Sequence, residues 1–337
     1  MNLKQLAKEL NLSFSTVSKA LRDSHEISSG TKERVLAKAK ELNYQVNPLA
    51  SSFRKQKTKT IAVIIPEVVN DFFGPVINGI ESIALLKGYH VLIYLTHEDM
   101  QKEVAVTQLL QNGRVDGIMI SLAAQTSDTV HLEVLKDKEI PLVFFDRIAE
   151  HIDAPKVITD DYSSGAEATE HLIKNGCKRV AFLSISPSLS ISNKRKNGYL
   201  DALKRNNIEA EDSLIKYCDG NDPHDHDIIR ELLSRHDRPD GIFASIEHLA
   251  IATYEVCGEL QLKIPEDIKI ICFSNLKTAG LLCPSMSTIT QPAFEIGREA
   301  AAILFKLIEK KGHHFLLEKT VINSRLIERN STKKTSR

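Results

Sequence analysis

Apolar residues at the start of the chain recur at three- and four-residue spacing. Leu3, Leu6, Ala7 and Leu10 fall on one helical face. Asn11-Leu12-Ser13 interrupts the pattern, and Ser13 is a good N-cap for a second short helix, Phe14 to Leu21, whose apolar residues are Val17, Ala20 and Leu21. Two such helices joined by so short a turn must cross steeply, with small Ala7 where they touch. This is the helix-turn-helix pattern, in which the second helix enters the major groove. Its outward residues are expected to be Phe14, Ser15, Thr16, Ser18 and Lys19, suited to base edges or phosphates. A plain helical hairpin is the competing reading. A third amphipathic helix, Thr31 to Leu42, favours a compact trihelical unit over it.

Past a polar, basic linker (Gln56 to Lys59) the pattern changes. TIAVIIP, from Thr60, is the continuous apolar run that a buried parallel strand needs. Strands are expected at 61–65, 89–95, 115–121 and 140–145, with helices near 73–87, 99–112 and 128–138. A second series places strands at 179–184, 240–244 and 268–273, and helices near 163–175, 193–207, 225–236 and 247–261. This alternation predicts two doubly wound α/β units sharing a cleft at the carboxyl ends of their strands. The polar end, Asn330 to Arg337, reads as disordered.

Charge sharpens the division. The chain balances 44 Lys/Arg against 44 Asp/Glu, yet residues 1–60 hold twelve Lys/Arg and only five acids. The excess of seven positive charges there is matched by seven negative charges on the rest, which suggests a polyanion-binding end on an acidic body. Five scattered cysteines (177, 218, 257, 272, 283) without a CxxC are expected to be reduced and buried. The start does not read as a signal peptide and no apolar run approaches 18 residues, so a cytoplasmic protein with no membrane partner is expected.

The runs SFSTVSKAL (13–21), ELNY (41–44) and NPLASSFRK (47–55) resemble the lactose repressor (LacI/GalR) family of bacterial transcriptional regulators. So does PSMSTITQP (284–292), followed by Ile296-Gly297 and Ala300, which looks like that family's return crossover. The resemblance implies a small all-α helix-turn-helix head plus an α/β two-lobed periplasmic-binding-protein-like effector domain. The boundaries are expected as 1–46 for the head, 47–59 for a hinge helix and linker, 60–327 for the effector-binding and dimerisation domain, and 328–337 for a polar tail. It also implies a homodimeric repressor of a pseudo-palindromic DNA operator, controlled by a small-molecule effector, a sugar or sugar derivative. In the hinge, Asn47 would cap a short helix and Phe53 would take the place of the family's minor-groove wedge, usually Leu.

Family patterns also nominate the cleft residues. Phe72 and Phe73 resemble an aromatic pair that stacks on the effector, although either could instead pack in the core. Asp146-Arg147, Asp160-Asp161 and Arg195 (in Arg195-Lys196-Asn197-Gly198-Tyr199) match the DR, DN and RxxGY patterns. Carboxylates accept sugar hydroxyls and Arg donates in a planar fork. Three positions depart from the family: Ile246-Glu247 replaces Asn-Asp, Ser274 replaces an Asp, and Asp161 replaces the Asn of DN. No Trp exists in the chain. The family's sugar contacts therefore do not transfer directly.

Catalysis finds no support, since Walker A, GxGxxG and GxSxG motifs are all absent. A metal site at Asp222-Pro223-His224-Asp225-His226-Asp227 lacks an identifiable third partner, and no cofactor is expected. A solute-binding module without DNA function is disfavoured by the basic head, and an α/β enzyme by the missing nucleophile or phosphate loop.

Overall fold

The computed structural model describes residues 3–21, 23–44, 58–218, 220, 222–309 and 318–333. The chain divides into two compact units, Met1–Thr58 and Lys59–Arg337.

The first unit contains α1 (Leu3–Glu9), α2 (Phe14–Ala20) and α3 (Ser29–Glu41) around a core of Leu6, Leu10, Val17, Val35 and Ala39, with Ala7 and Ala20 at the close contacts. Ser13 caps α2: its backbone is extended and its Oγ accepts the Thr16 N–H at 3.1 Å. Asn11 turns the chain at φ 55°, a conformation that its short polar side chain tolerates. Phe14, Ser15 and Lys19 are exposed and Thr16 is half-buried. Ser18 is not an outward residue; it is 9% exposed. One step of helix rotation from Val17 puts it on the shoulder of the buried stripe, while Ser15 and Lys19 lie opposite that stripe.

The second unit has two lobes, each a six-stranded sheet covered by helices. Lobe 1 has strand order β11-β5-β4-β3-β1-β2, with β1 (Thr60–Ile65), β2 (His90–Leu95), β3 (Gly117–Ile120), β4 (Leu142–Phe145), β5 (Lys156–Thr159) and β11 (Lys319–Ile322). Lobe 2 has order β12-β10-β9-β8-β6-β7, with β6 (Val180–Ser184), β7 (Ile215–Tyr217), β8 (Gly241–Ala244), β9 (Lys269–Phe273), β10 (Ser287–Thr290) and β12 (Arg325–Ile327). Every strand pair is parallel except β10 with β12. Ile61 to Ile65 are wholly buried, as a strand covered on both faces requires.

The helices are α4 (Phe73–Leu86), α5 (Met100–Leu110), α6 (Val130–Asp137), α7 (Asp161–Lys174), α8 (Ser190–Arg205), α9 (Asp222–Ser234), α10 (Glu247–Glu259) and α11 (Ala293–Glu309). The chain crosses between lobes three times: after β5 into α7, after β10 into α11, and between β11 and β12. The stretch 284–292 thus holds β10 and the second crossing. Side chains tie the crossings together. Asp160 Oδ1 accepts the Ser324 N–H at 2.7 Å, and Gln291 Nε2 donates to Thr159 Oγ1 at 3.1 Å.

Expected and observed elements differ where strands are short. β5, β7, β11 and β12 have three or four residues, several of them polar, and so carry no apolar run long enough to read. The polar tail also needs correcting. Ser331 donates from Oγ to the Ile270 carbonyl at 2.7 Å and from its N–H to the Ser285 carbonyl at 2.8 Å, so 328–333 belong to lobe 2. Residues 334–337 lie outside the described residues. The cysteines are free thiols, four of them buried; Cys283 is exposed, contrary to expectation. Among the described residues no helix is long and apolar enough to cross a membrane.

In lobe 2, α7 and α8 cross at backbone contact. A Cβ on Gly198 would lie 2.1 Å from the Tyr162 carbonyl oxygen, and one on Gly165 would lie 2.6 Å from that of Arg195. Gly198→Ala should therefore force the helices apart and cost about 1–3 kcal/mol or more, as overpacking does. Urea unfolding of the variant checks this; unchanged stability would show that the helices separate freely.

Candidate functional site

A cavity of about 560 Å³ lies between the lobes. Its polar lining comes from just beyond the carboxyl ends of parallel strands: Glu67 after β1, Glu98 after β2, Asp146 after β4, Glu247 after β8, Ser274 after β9 and Gln291 after β10. Each strand end delivers a side chain because parallel strands all finish on the same edge of their sheet. Volume and lining suit a small polar molecule.

Arg195, which lines the cavity, is held by a buried ion pair with Asp161. Arg195 Nε and Nη2 lie 2.8 and 2.7 Å from Asp161 Oδ1, Nη1 donates to the Ser245 carbonyl at 2.6 Å, and the guanidinium stacks 3.8 Å over the Phe273 ring. Both side chains are almost fully buried. Burial pushes the Asp161 pKa up, although Arg195 pulls the other way. The Arg195-Lys196-Asn197-Gly198-Tyr199 stretch can be read residue by residue. Arg195 neutralises Asp161, Gly198 lets α8 meet α7, and Tyr199 donates from its hydroxyl to the Val180 carbonyl at 2.8 Å while stacking on Phe182.

On lobe 1, Asp146 sits at φ 59° and is 6% exposed. Burial raises its pKa, against the opposing charges of Arg147 and Arg195. Arg147 Nη1 donates to both Glu98 oxygens at 2.8 and 2.7 Å, whereas its buried Nε has no hydrogen-bond partner and stands 3.9 Å from Asp146 Oδ2. Across the cleft, Glu247 accepts from Ser274 Oγ, which in turn accepts the Leu276 N–H at 2.9 Å. Asn275 and Gln291 exchange two hydrogen bonds, at 2.7 and 3.1 Å, and so join the cleft wall to the second crossing.

Of the nominated residues, Asp146, Arg147, Arg195, Glu247, Ser274 and Phe72 are brought together around one cavity. Asp160 is not. Phe73 also touches the cavity wall but is 1% exposed, packed edge-on against Phe72 and Phe145, so it offers no stacking face. As the first residue of α4 it turns inward, while Asn70 Oδ1 holds the N–H groups of Phe72 and Phe73 at 3.2 and 3.1 Å. Asp160 serves the crossings, through Ser324, and its neighbour Asp161 takes the inward position. Glu67, Glu98, Asn275 and Gln291 were not anticipated as lining residues; their signal, a polar residue one to three positions past a strand, becomes usable only when the strand ends are known. The Asp222–Asp227 cluster gives two helix-to-helix pairs, His226 with Glu255 at 2.7 Å and His248 with Asp225 at 3.2 Å. No group of three or more potential metal ligands occurs among the described residues.

In the first unit Phe14, Ser15 and Lys19 share the exposed side of α2, and the Lys19 ammonium pairs with Glu26. Asn47 and Phe53 lie outside the described residues.

Two measurements follow from the cleft. Asp161→Asn strands a buried guanidinium and Arg195→Ala strands a buried carboxylate, so each should cost about 3–5 kcal/mol. The double variant should cost much less than their sum; additive losses in denaturant titrations would show the pair is not coupled. Burial, first of all, holds the Glu247 pKa above its ordinary 4.5, with Asp71 and Glu67 pushing the same way and Ser274 opposing. A raised carboxyl pKa contributes stability that is present below about 4.5 and lost as pH rises through the folded-state value. Glu247→Gln should therefore melt higher than the native protein at pH 7, with the gap closing below pH 4.5. A gap that is constant across pH in calorimetry would contradict this.

Residues 2–47 match the family described as bacterial regulatory proteins, lacI family, and residues 58–330 match periplasmic binding proteins and sugar binding domain of LacI family. The chain is 29% identical over 310 residues to a ribose operon repressor of Halalkalibacterium halodurans, covering 92% of this chain and 91% of that one. It is 28% identical over 331 residues to the transcriptional repressor CytR of Escherichia coli, covering 98% and 96%. Among solved structures, a LacI family regulator from Silicibacter pomeroyi aligns over 99% of both chains at 25% identity with a TM-score of 0.81. These relatives are regulators rather than enzymes, and with both halves matched the chain belongs to the LacI family of bacterial transcriptional repressors, a helix-turn-helix head followed by a two-lobed periplasmic-binding-like domain.

Proposed function

We propose that this repressor is a homodimer whose affinity for a pseudo-palindromic operator is set by a small polyhydroxylated effector, a sugar or sugar derivative, held in the cleft. The observation that carries this reading is the ring of carboxylates, guanidinium groups and amides contributed by both lobes around one cavity. Carboxylates accept from hydroxyls, Arg donates to them, and Phe72 supplies an apolar surface for a sugar ring. The named ribose repressors among the relatives, and an Enterococcus faecium family member with bound ribose (26% identical, TM-score 0.71, covering 82% of this chain and 100% of that one), fit the same ligand class. An effector touching both lobes favours one lobe arrangement. By linkage the operator and the effector then change each other's affinity by the same factor, about 5- to 150-fold for typical couplings.

For the dimer, the supporting feature is an apolar edge on lobe 1. Edge strand β2 exposes Leu92 and Ile93, and the end of α4 exposes Leu85 (76%) and Leu86 (82%). An apolar strand edge left open invites aggregation, whereas a symmetric second copy would cover it.

The effector reading is tested by titrating carbohydrates into the operator complex. A sugar that binds the protein but leaves operator affinity unchanged would break the linkage. For DNA, the contacts are assigned to Phe14, Ser15, Thr16 and Lys19, with Asn47 and Phe53 in the hinge on the strength of the family pattern. Lys19→Ala should weaken operator binding by about 1–3 kcal/mol, more than it weakens random DNA. Equal loss on both in gel shifts would make Lys19 a phosphate contact only. Phe53→Ala should also lower specific affinity far more than nonspecific affinity, and Phe53→Leu should retain most of it. Operator bending unchanged in Phe53→Ala would remove the wedge assignment.

A further inference from the structure

We infer that the effector carries a cationic amine, seated between Glu67 of lobe 1 and Glu247 of lobe 2, where it neutralises carboxylates that confront each other across the cleft. The inference rests on the effector reading above and narrows it from a polyol to an amine-bearing polyol.

The charge inventory of the cavity is lopsided. Among the described residues it is lined by the carboxylates of Glu67, Glu98, Asp146, Glu247 and Glu255, against two guanidinium groups, Arg147 and Arg195, and two imidazoles, His226 and His248, the latter paired with Asp225. Both arginines are already committed. Arg195 is held by Asp161 and the Ser245 carbonyl, and Arg147 by Glu98. Asp146 lies within the field of both, and Glu255 pairs with His226. Glu67 also feels the charge of Arg147, but neither it nor Glu247 forms a direct ion pair among the described residues. Their hydrogen-bond donors are the neutral Asn70 amide, at 2.7 Å, and the neutral Ser274 hydroxyl.

Glu67 and Glu247 belong to opposite lobes. Glu67 follows β1, and Glu247 opens α10 after β8. Their mutual influence is already felt, since the charges of Asp71 and Glu67 oppose ionisation of Glu247. Any effector that draws the lobes together strips water from these groups, and a desolvated carboxylate without a cation is costly. A neutral sugar would give hydroxyl donors but leave the charge uncancelled. A phosphate ester would need free donors and would add to the negative field. An ammonium group supplies three donors and the missing charge together.

A second, independent feature points to the other end of the same ligand. Arg147 lines the cleft, and its buried Nε is left without a hydrogen-bond partner, a donor that a small shift of the side chain would offer to a ring or hydroxyl oxygen. One vacant donor on Arg147 and unneutralised acceptors on Glu67 and Glu247 match a polyol with an oxygen at one end and an amine at the other.

Isothermal titration of the full-length protein with glucosamine, galactosamine and mannosamine, their parent hexoses and the hexose 6-phosphates tests this, with calcium chloride as a simple-cation control. At least one hexosamine should bind about tenfold or more tightly than its parent hexose, the worth of one charge-assisted hydrogen bond. The 6-phosphates should not bind. Glu247→Gln or Glu67→Gln should shrink the amine's advantage over its parent hexose to within about threefold, whatever the change in hexose affinity itself. Parent hexose or phosphate ester binding as tightly as the amine would overturn the inference but leave the effector reading intact. So would an advantage surviving in both variants, or calcium binding as the amine does. Silence from every hexosamine overturns it too, and if no carbohydrate of any class alters operator affinity the effector reading falls with it.

Discussion

The Asp161–Arg195 pair is the constraint on which much of lobe 2 and the cleft depend. Asp161 is the first residue of α7, directly after the first crossing, and Arg195 comes from the middle of α8. Their contact fixes how α7 begins, and the Arg195 donors extend to the loop after β8 and to the Phe273 ring at the end of β9. Neither charge could be buried alone, because an isolated ion in this interior is far less stable than a paired one. The backbone contact at Gly198 belongs to the same arrangement, since a wider helix separation would lengthen the ion pair. Packing and electrostatics thus specify one geometry, and the cavity wall inherits it.

How much of this was legible in the sequence varied with the physics of each element. Ser13 as N-cap and the trihelical core could be read because capping and amphipathic spacing are local. The long buried strands could be read because a sheet covered on both faces demands continuous apolar runs, as at Ile61 to Ile65. The short strands with polar residues were not visible: Lys156-Val157-Ile158-Thr159 and Ile215-Lys216-Tyr217 become strands only by pairing with neighbours already in place. Residues 328–333 failed for a related reason. Ser331 and Thr332 look like a polar tail until β9 and β10 provide partners for them.

The site showed the same split at finer grain. Residue type and family pattern nominated Asp146, Arg147, Arg195, Glu247 and Ser274, all of which line the cavity, but could not choose within adjacent pairs. Phe72 and Phe73, or Asp160 and Asp161, are chemically equivalent in a string of letters. Helix phase decides between them, and a rotation of about 100° per residue buries Phe73 and Asp161 while Phe72 keeps an accessible face and Asp160 turns to the crossings. Ser18 was misplaced by one such step. Glu67, Glu98 and Gln291 required the strand ends themselves.

The departures from the family pattern acquire meaning when taken together. One carboxylate is lost at Ser274, while the Asp of the family's Asn-Asp becomes the longer Glu247, which accepts from the Ser274 hydroxyl. The charges of Asp71 and Glu67 on lobe 1 oppose ionisation of that Glu247. The crossings are the only backbone links among the described residues through which the lobes can shift, and they are stitched together by Asp160 with Ser324, Thr159 with Gln291 and Gln291 with Asn275. Asn275 adjoins Ser274. A ligand that resets the charge at Glu247 therefore acts two residues along a hydrogen-bonded chain from the second crossing. On the proposed reading, effector chemistry and lobe movement would share these few atoms, which is the physical coupling an allosteric repressor needs.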